Sequence, residues 1–304
     1  MTGGDIVKTC ISCPRECSVD RKSGERGFCG VGNEYVIAAS DLHFWEEPCI
    51  SGTRGAGTVF FSGCNLRCVF CQNKDISRKV RGKILSEGEL IDKMLELESR
   101  GAHNIDLVTP TPYAERLAVT LEKAKAKLSV PVIYNCGGYE SPKALRALDG
   151  LIDVYLPDMK YFSNELAIKY SSAPRYKEAA TEALTEMYRQ VGKVNFDSDG
   201  MITRGLIVRH LVLPSHRNDS MGVLDHLASF LPIKNIMLSL MRQYTPDFAD
   251  ADAPSPLHRR LTSFEYDSVL EYAQKLGFQG FSQSRASATA DYTPNFAEKV
   301  QSDT

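Results

Sequence analysis

Short apolar runs recur along the middle of the chain, separated by longer stretches of mixed polarity. Six of them are Thr58–Ser62, Ile105–Val108, Pro131–Tyr134, Ile152–Leu156, Leu206–Leu213 and Ile236–Leu240. They are rich in Val, Ile, Leu and Phe without strict alternation, the pattern of strands buried on both faces. The intervening stretches carry helix signals. Ser86 with Glu89 and Thr262 with Glu265 have capping-box spacing, Ser141 precedes Pro142 at a first helical position, and Gly277 follows the last helical stretch. Strand then helix, six times over, predicts parallel strands with right-handed crossovers. The expected fold class is α/β, a partial (β/α)6 TIM-like barrel over residues 57–281. An open doubly wound sheet is the competing layout.

Three stretches break this rhythm. Ser171–Pro174 interrupts a long helical region, and Val194–Arg204, with Asp197-Ser198-Asp199-Gly200 inside it, reads as an inserted hairpin. Thr245–Pro256 holds three prolines and three aspartates and reads as an irregular lid or partner surface. Residues 1–56 are rich in Cys, Gly and charge with no long helical period, which predicts a small cysteine-rich metal-binding appendage. Residues 282–304 read as a polar tail. Gly52, Gly55 and Gly57 lack the companions of a phosphate loop and read as shaping the approach to the first strand.

The 304 residues hold 36 Lys+Arg against 38 Asp+Glu, so there is no basic stripe and no nucleic-acid partner is expected. No apolar run approaches the roughly 18 residues of a membrane span. Residues 1–8 have no apolar signal-peptide core. A cytoplasmic protein without a membrane partner is expected. Cysteine changes the picture. Cys10, Cys13, Cys17 and Cys29 form one cluster, Cys64, Cys68 and Cys71 another, and Cys49 and Cys136 stand apart. A secreted disulfide scaffold would be shorter and would not leave a long C-terminal region without cysteine. Clustered thiols in a reducing compartment point to metals.

The sharpest signal is Gly63-Cys64-Asn65-Leu66-Arg67-Cys68-Val69-Phe70-Cys71 directly after the first strand. Three thiolates on one loop can hold three irons of a four-iron cluster, which normally takes four cysteines, and so leave one iron open. The alternative is a zinc site with its fourth ligand elsewhere. The Cys-x3-Cys-x2-Cys motif with an aromatic before the third cysteine resembles the radical S-adenosylmethionine superfamily. Similarity continues through Asp158-Met159-Lys160-Tyr161, Arg209 to Pro214 and Leu240 to Tyr244, about residues 8–281 in all. With the N-terminal cysteines, it looks like the uncharacterised branch related to pyruvate formate-lyase activating enzyme.

The resemblance implies that Cys64, Cys68 and Cys71 hold a [4Fe-4S] cluster whose open iron chelates S-adenosyl-L-methionine. It implies reductive cleavage to methionine and a 5′-deoxyadenosyl radical that abstracts hydrogen, in an activating-enzyme-like oxidoreductase. By the same resemblance Phe70 sits against the adenine, Lys160 pairs with the cofactor's carboxylate and Asp158 accepts from its ammonium. A packed core aromatic and a strand-end ion pair are the plainer alternatives. Thr109 and Thr111 stand where many superfamily members carry Gly-Gly-Glu, and their hydroxyls are candidate acceptors. Asn135, before Gly137 and Gly138, is a candidate for ribose contacts. Gln243 stands where activating enzymes have a His, and His210 either compensates or is a core histidine. Cys136 reads as a buried thiol, with radical relay as the alternative.

Cys64, Thr109, Asn135, Asp158 and Gln243 each fall at or just past the C-terminal end of a predicted strand, the rim where parallel barrels build their sites. Cys10, Cys13, Cys17 and Cys29 read as a second metal site, zinc or iron–sulfur. Cys49 is an unassigned extra ligand candidate. Expected partners are an electron donor such as flavodoxin or ferredoxin and, by the resemblance, a protein substrate, a glycyl radical enzyme donating a glycine hydrogen. Chemistry on a small molecule or another macromolecule, and a non-catalytic iron–sulfur electron carrier, are the competing readings.

Overall fold

The computed structural model describes residues 10–287; most of the expected tail 282–304, and residues 1–8, lie outside them. The strands are β1 (Tyr35–His43), β2 (Ala56–Phe61), β3 (Lys83–Leu85), β4 (Ile105–Val108), β5 (Val132–Cys136), β6 (Val154–Pro157), β7 (Asn195–Phe196), β8 (Ile202–Leu211), β9 (Met237–Met241) and β10 (Gly280–Ser282). The helices are α1 (Pro48–Ser51), α2 (Lys74–Ser77), α3 (Glu87–Ser99), α4 (Ala114–Lys125), α5 (Pro142–Arg146), α6 (Asn164–Ser171), α7 (Tyr176–Val191), α8 (Arg217–Phe230) and α9 (Ser263–Leu276).

One sheet runs β10-β9-β8-β6-β5-β4-β2-β1-β3, parallel from β10 through β2 and antiparallel at β1 and β3. The sheet is open. Each of the six expected runs falls on one of these parallel strands, with ends shifted by a few residues. A seventh parallel strand, β10, is three residues long. All the long crossover helices contribute to a single apolar layer against one face of the sheet. A doubly wound sheet would carry helices on both faces, so the partial-barrel layout holds.

Local signals act where the sequence places them. Ser86 and Thr262 both close reciprocal capping boxes with Glu89 and Glu265. Gly277 takes the left-handed cap of α9. The break between α6 and α7 is real, with Ser172 and Arg175 at φ 50° and 53°. The Val194–Arg204 segment forms the β7–β8 hairpin. Residues 35–56, read as part of the appendage, instead contribute β1 and α1 to the main body. β1 hydrogen-bonds β2 from Ile37 to His43, so the cysteine-rich segment proper ends before Tyr35.

Alternation on the strands sorts side chains between the two faces. Val59, Leu107, Tyr134, Tyr155, Val208 and Leu240 face the helices. The other face, the barrel interior, is split. Its lower part, at the N-terminal strand ends, holds an apolar cluster of Cys49, Ile50, Ile133, Val154 and Ile207. Its upper part carries polar side chains around a cavity.

Candidate functional site

The cavity opens at the C-terminal ends of the parallel strands and has a volume of about 180 Å³. Cys64, Cys68 and Cys71 line it from the loop after β2, together with Phe70. Thr109 follows β4, Asn135 and Cys136 close β5, Asp158 and Lys160 follow β6, Arg209 lies on β8, and Gln243 follows β9. The five groups expected on one rim therefore do meet.

The loop is fixed by its backbone. Arg67 and Val69 N–H groups donate to the carbonyls of Ser171 and Tyr170, and Arg78 donates to the Cys68 carbonyl at 2.5 Å. Ser171 Oγ donates to Cys68 Sγ at 3.0 Å. Burial raises the Cys64 thiol, and Cys68 and Cys71 push it further the same way. Burial likewise raises Cys68, against the pull of the Lys160 ammonium. Burial holds Cys64 and Cys68 as thiols, a cost that deprotonation onto a cationic metal centre in the same cavity would relieve. The residues fit an iron–sulfur cluster with three protein ligands.

Asp158 sits between two cations. Its Oδ2 accepts from Lys160 Nζ at 2.5 Å and its Oδ1 from Arg209 Nε at 2.9 Å. Burial alone would raise this carboxyl, but Arg209 and Lys160 together hold it below the usual range, so it is ionised. Burial works against the Lys160 charge, and Asp158 and Cys68 more than restore it. The backbone of this turn is held by Tyr176, whose hydroxyl accepts from Lys160 N–H and donates to the Gly137 and Asp158 carbonyls, each at 2.9 Å. Gly138, at φ 77°, packs its Cα against the Asp158 carbonyl where any Cβ would collide.

Arg209 links this upper cavity to the barrel floor. Its Nη2 donates to Asn135 Oδ1 at 2.6 Å and its Nη1 to Glu46 Oε2 at 3.3 Å. Asn135 in turn donates to Asp106 Oδ2 at 3.3 Å. Burial raises the carboxyls of Asp106, Glu46 and Glu47, with Arg209 opposing in each case. Asp106 Oδ1 and Glu47 Oε2 are buried with no hydrogen-bond partner.

Several expected residues sit elsewhere. His210 does not reach the cavity: one step along β8 from Arg209, it faces the helices with Leu206 and Val208. Its Nδ1 lies 2.7 Å from the Met159 carbonyl, and burial lowers its pKa to about 4, so it is a neutral core histidine. Thr111 is also turned away, because Pro110 starts a 3-10 turn that carries its hydroxyl to Glu140 Oε1 at 2.8 Å. Thr109 does line the cavity, at φ 58°, a strained conformation for a β-branched residue.

Phe70 lines the cavity and meets Tyr244 edge-on at 6.0 Å. Gln243 lines it with its side-chain oxygen accepting from Gln283. Cys136 is buried in its wall, and burial raises its thiol. Cys49 lies on α1 in the floor's apolar cluster and joins neither cysteine group. The Thr245–Pro256 segment is tied down as well as irregular: Asp250 N–H donates to the Val69 carbonyl and its carboxylate pairs with Arg78 at 2.7 Å. Thr245 and Phe248 form part of the cavity wall. Arg209, Glu46, Asp106 and Tyr176 were not picked out as site residues from sequence. Arg209 had a visible signal, a charge inside an apolar strand; the carboxylates it meets are far away in the chain.

Residues 58–207 match the family model described as the Radical SAM superfamily. An uncharacterized protein of Methanocaldococcus jannaschii is 28% identical over 278 residues, which cover 89% of this chain and 76% of that protein. A radical SAM methyltransferase from Sphaerobacter thermophilus superposes at a TM-score of 0.52 and 11% identity, covering 77% of this chain and 68% of that one. Methylornithine synthase (PylB) aligns at a TM-score of 0.49 and 17% identity over 71% of this chain, which spans 60% of that structure's length. The likeness to the methyltransferase is one of fold. Among the described residues no helix is long and apolar enough to cross a membrane.

Proposed function

Starting from a chain whose residues 58–207 match the Radical SAM superfamily model, we propose that it cleaves S-adenosyl-L-methionine reductively and uses the product radical to abstract hydrogen. The observation that carries this reading is the shared cavity: three thiols and the buried Asp158–Lys160 pair face the same space. When bound, a [4Fe-4S] cluster held by Cys64, Cys68 and Cys71 would supply one electron for cleavage of the S-adenosyl-L-methionine sulfonium, the chemistry that gives methionine and a 5′-deoxyadenosyl radical able to take a substrate hydrogen.

The protein's part is positioning. Cys64, Cys68 and Cys71 would hold the cluster, Lys160 the cofactor's carboxylate and Asp158 its ammonium. Arg209 keeps Asp158 ionised and aimed upward, so the ligand meets a fixed carboxylate that needs no reorganisation. Asn135 offers its amide to ribose hydroxyls, and Phe70 beside Tyr244 makes an apolar wall for adenine. Cys68, Asn135 and Asp158 are buried, and a walled cavity restricts which hydrogen donors can reach a reactive radical formed there.

The resemblance to activating enzymes supports a glycine of a partner enzyme as the hydrogen donor, with flavodoxin or ferredoxin as reductant. Anaerobic protein reduced with dithionite and given S-adenosyl-L-methionine should yield 5′-deoxyadenosine, followed by mass. With a deuterated lysate split into two fractions, deuterium gained from the macromolecular fraction alone supports a protein substrate. Gain from the small-molecule fraction moves the reading to metabolite chemistry. An intact cluster that yields no 5′-deoxyadenosine sinks the catalytic reading and leaves an electron carrier.

A further inference from the structure

The break between α6 and α7 delivers a hydroxyl to the middle cysteine of the loop. α6 ends at Ser171, because Ser172 takes the left-handed conformation at φ 50° and donates its N–H back to the Ile168 carbonyl. A helix end leaves its last carbonyls without partners in the helix. Here the cysteine loop takes two of them: Ser171 and Tyr170 accept from the N–H groups of Arg67 and Val69, the residues on either side of Cys68. Arg15, in the segment that holds Cys10, Cys13, Cys17 and Cys29, donates to the Ser172 carbonyl at 2.5 Å.

Pinned in this way, Ser171 directs its Oγ at the Cys68 sulfur, 3.0 Å away. The same oxygen lies 2.7 Å from the Tyr161 hydroxyl. Ser171 and Tyr161 are 0% and 1% exposed, so bulk water reaches neither. A metal-bound thiolate has no proton and can only accept. That fixes the direction of the chain: Ser171 gives its single hydrogen to the sulfur, and Tyr161 gives its own to Ser171 Oγ. Burial, with Cys68 close by, raises the Tyr161 phenol well above the usual range, which keeps that hydrogen in place.

The other two sulfurs are served less closely. Leu66 N–H donates to Cys64 Sγ at 3.4 Å, and Ser77 Oγ lies 3.5 Å from Cys71 Sγ. Those groups stand two and six residues from their cysteines, whereas Ser171 stands 103 residues from Cys68. Local chain geometry alone supplies the first two. The third requires the helix break.

Hydrogen bonds to the sulfurs are one of the levers that set the potential of an iron–sulfur cluster. The reduced cluster carries one more negative charge, so a donor aimed at a ligand sulfur favours the reduced state, and more strongly in a dry surrounding. We propose that Ser171, oriented by Tyr161, is a positioning residue that acts through Cys68 to make the cluster at Cys64, Cys68 and Cys71 easier to reduce. The inference rests on the proposed cluster, and it stands whether or not S-adenosyl-L-methionine is cleaved.

The test is a redox titration of the anaerobic full chain without S-adenosyl-L-methionine. The readout is the part of the reduced-cluster electron paramagnetic resonance signal that the Cys64→Ala/Cys68→Ala/Cys71→Ala variant lacks. Ser171→Ala should keep the wild-type iron content and move the midpoint to more negative potential. At a fixed potential its reduced-to-oxidised ratio should fall about tenfold, about 59 mV for one electron. Tyr161→Phe removes the hydrogen that orients Ser171 and should shift the midpoint the same way by less. Ser171→Thr keeps the hydroxyl and should bring the midpoint back toward wild type. An unshifted midpoint in Ser171→Ala beside a retained cluster overturns the inference alone. So does a Ser171→Thr midpoint as negative as that of Ser171→Ala, because packing and not the hydroxyl would then set the potential. Should Ser171→Ala lose its iron, Tyr161→Phe decides, and an unshifted value there overturns the inference. Equal signals from the wild type and the triple cysteine variant would remove the proposed cluster itself, and this inference with it.

Discussion

Asp106 on β4 and Asp158 at the end of β6 both point into the barrel, with β5 between their strands, and they are treated oppositely. Asp158, at the rim, has Arg209 and Lys160 on its two oxygens and is held ionised. Asp106, deeper in, is fully buried, keeps one oxygen unpartnered and is pushed toward the neutral acid. Glu46 and Glu47 close the floor beneath it with the same upward tendency. One guanidinium serves all four. Arg209 spends its best geometry on the rim, where charge has a task, and leaves the floor to burial. The rim is therefore built to present a fixed charge pair to a zwitterion, and the floor to close the barrel.

The largest expected effect is on the rim. Cys68→Ala removes a thiol from the middle of the triad, and 5′-deoxyadenosine formation should fall to background in the mass assay while the circular dichroism spectrum stays unchanged. Retained product would detach the chemistry from this loop. Next comes the residue that joins the two regions. Arg209→Ala leaves Asp158, Glu46, Glu47 and Asp106 sharing the interior without their cation, and should cost about 3–5 kcal/mol in urea unfolding. Arg209→Lys keeps the charge without the fork and should cost visibly less. Equal losses for both would show that packing, not charge, ties rim to floor.

Much of this contrast was readable in the chain, and what was not has physical causes. The six parallel strands announced themselves because buried strands are short apolar runs between capped helices. β1 was hidden: its apolar start, Tyr35–Ala39, lies between cysteines and glycines that speak of metal binding. The rim residues followed from where strands end, a rule of parallel sheets independent of contacts. His210 shows the limit of that rule, since it shares a strand with Arg209 and a single step of alternation sends it to the other face. Thr111 shows another, because the local 3-10 turn, not the strand, aims its hydroxyl. The role of Arg209 depends on Glu46, 163 residues away. No spacing along the chain encodes that meeting.

A further buried carboxyl, Glu140, sharpens the comparison, because no cation bears on it. Glu140 lies behind the end of β5, accepting from Thr111 Oγ1 at 2.8 Å, Tyr134 OH at 3.1 Å and the Cys136 thiol. Burial raises its pKa from 4.5 to about 7 against those hydrogen bonds. A raised folded-state pKa means that the folded state holds the proton more tightly. The stabilisation is full below about pH 4.5 and lost as pH rises through about 7, about 3 kcal/mol in all. Unfolding free energy should fall over that window in the wild type, and Glu140→Gln should flatten the fall. An unchanged profile would mean that Glu140 is ionised in place, like Asp158.

On the rim itself, Lys160→Ala should weaken S-adenosyl-L-methionine binding by about 1.5–3 kcal/mol, the range for a charged hydrogen bond, measured by equilibrium dialysis. Unchanged binding would leave Asp158–Lys160 a mere strand-end ion pair. The smallest expected effect belongs to the floor. Cys49 packs with Ile50, Ile133, Val154 and Ile207 at the N-terminal strand ends, on the far side of the interior apolar cluster from the cavity thiols. Its sulfur is a small hydrophobic group there, and burial raises its thiol to about 12, which keeps it protonated and a poor ligand. Cys49→Ala should therefore leave bound iron and 5′-deoxyadenosine unchanged while lowering stability by about 1 kcal/mol through the small void it leaves. Iron lost from that variant would move a cysteine from floor to rim chemistry, and with it the division on which the other four predictions stand.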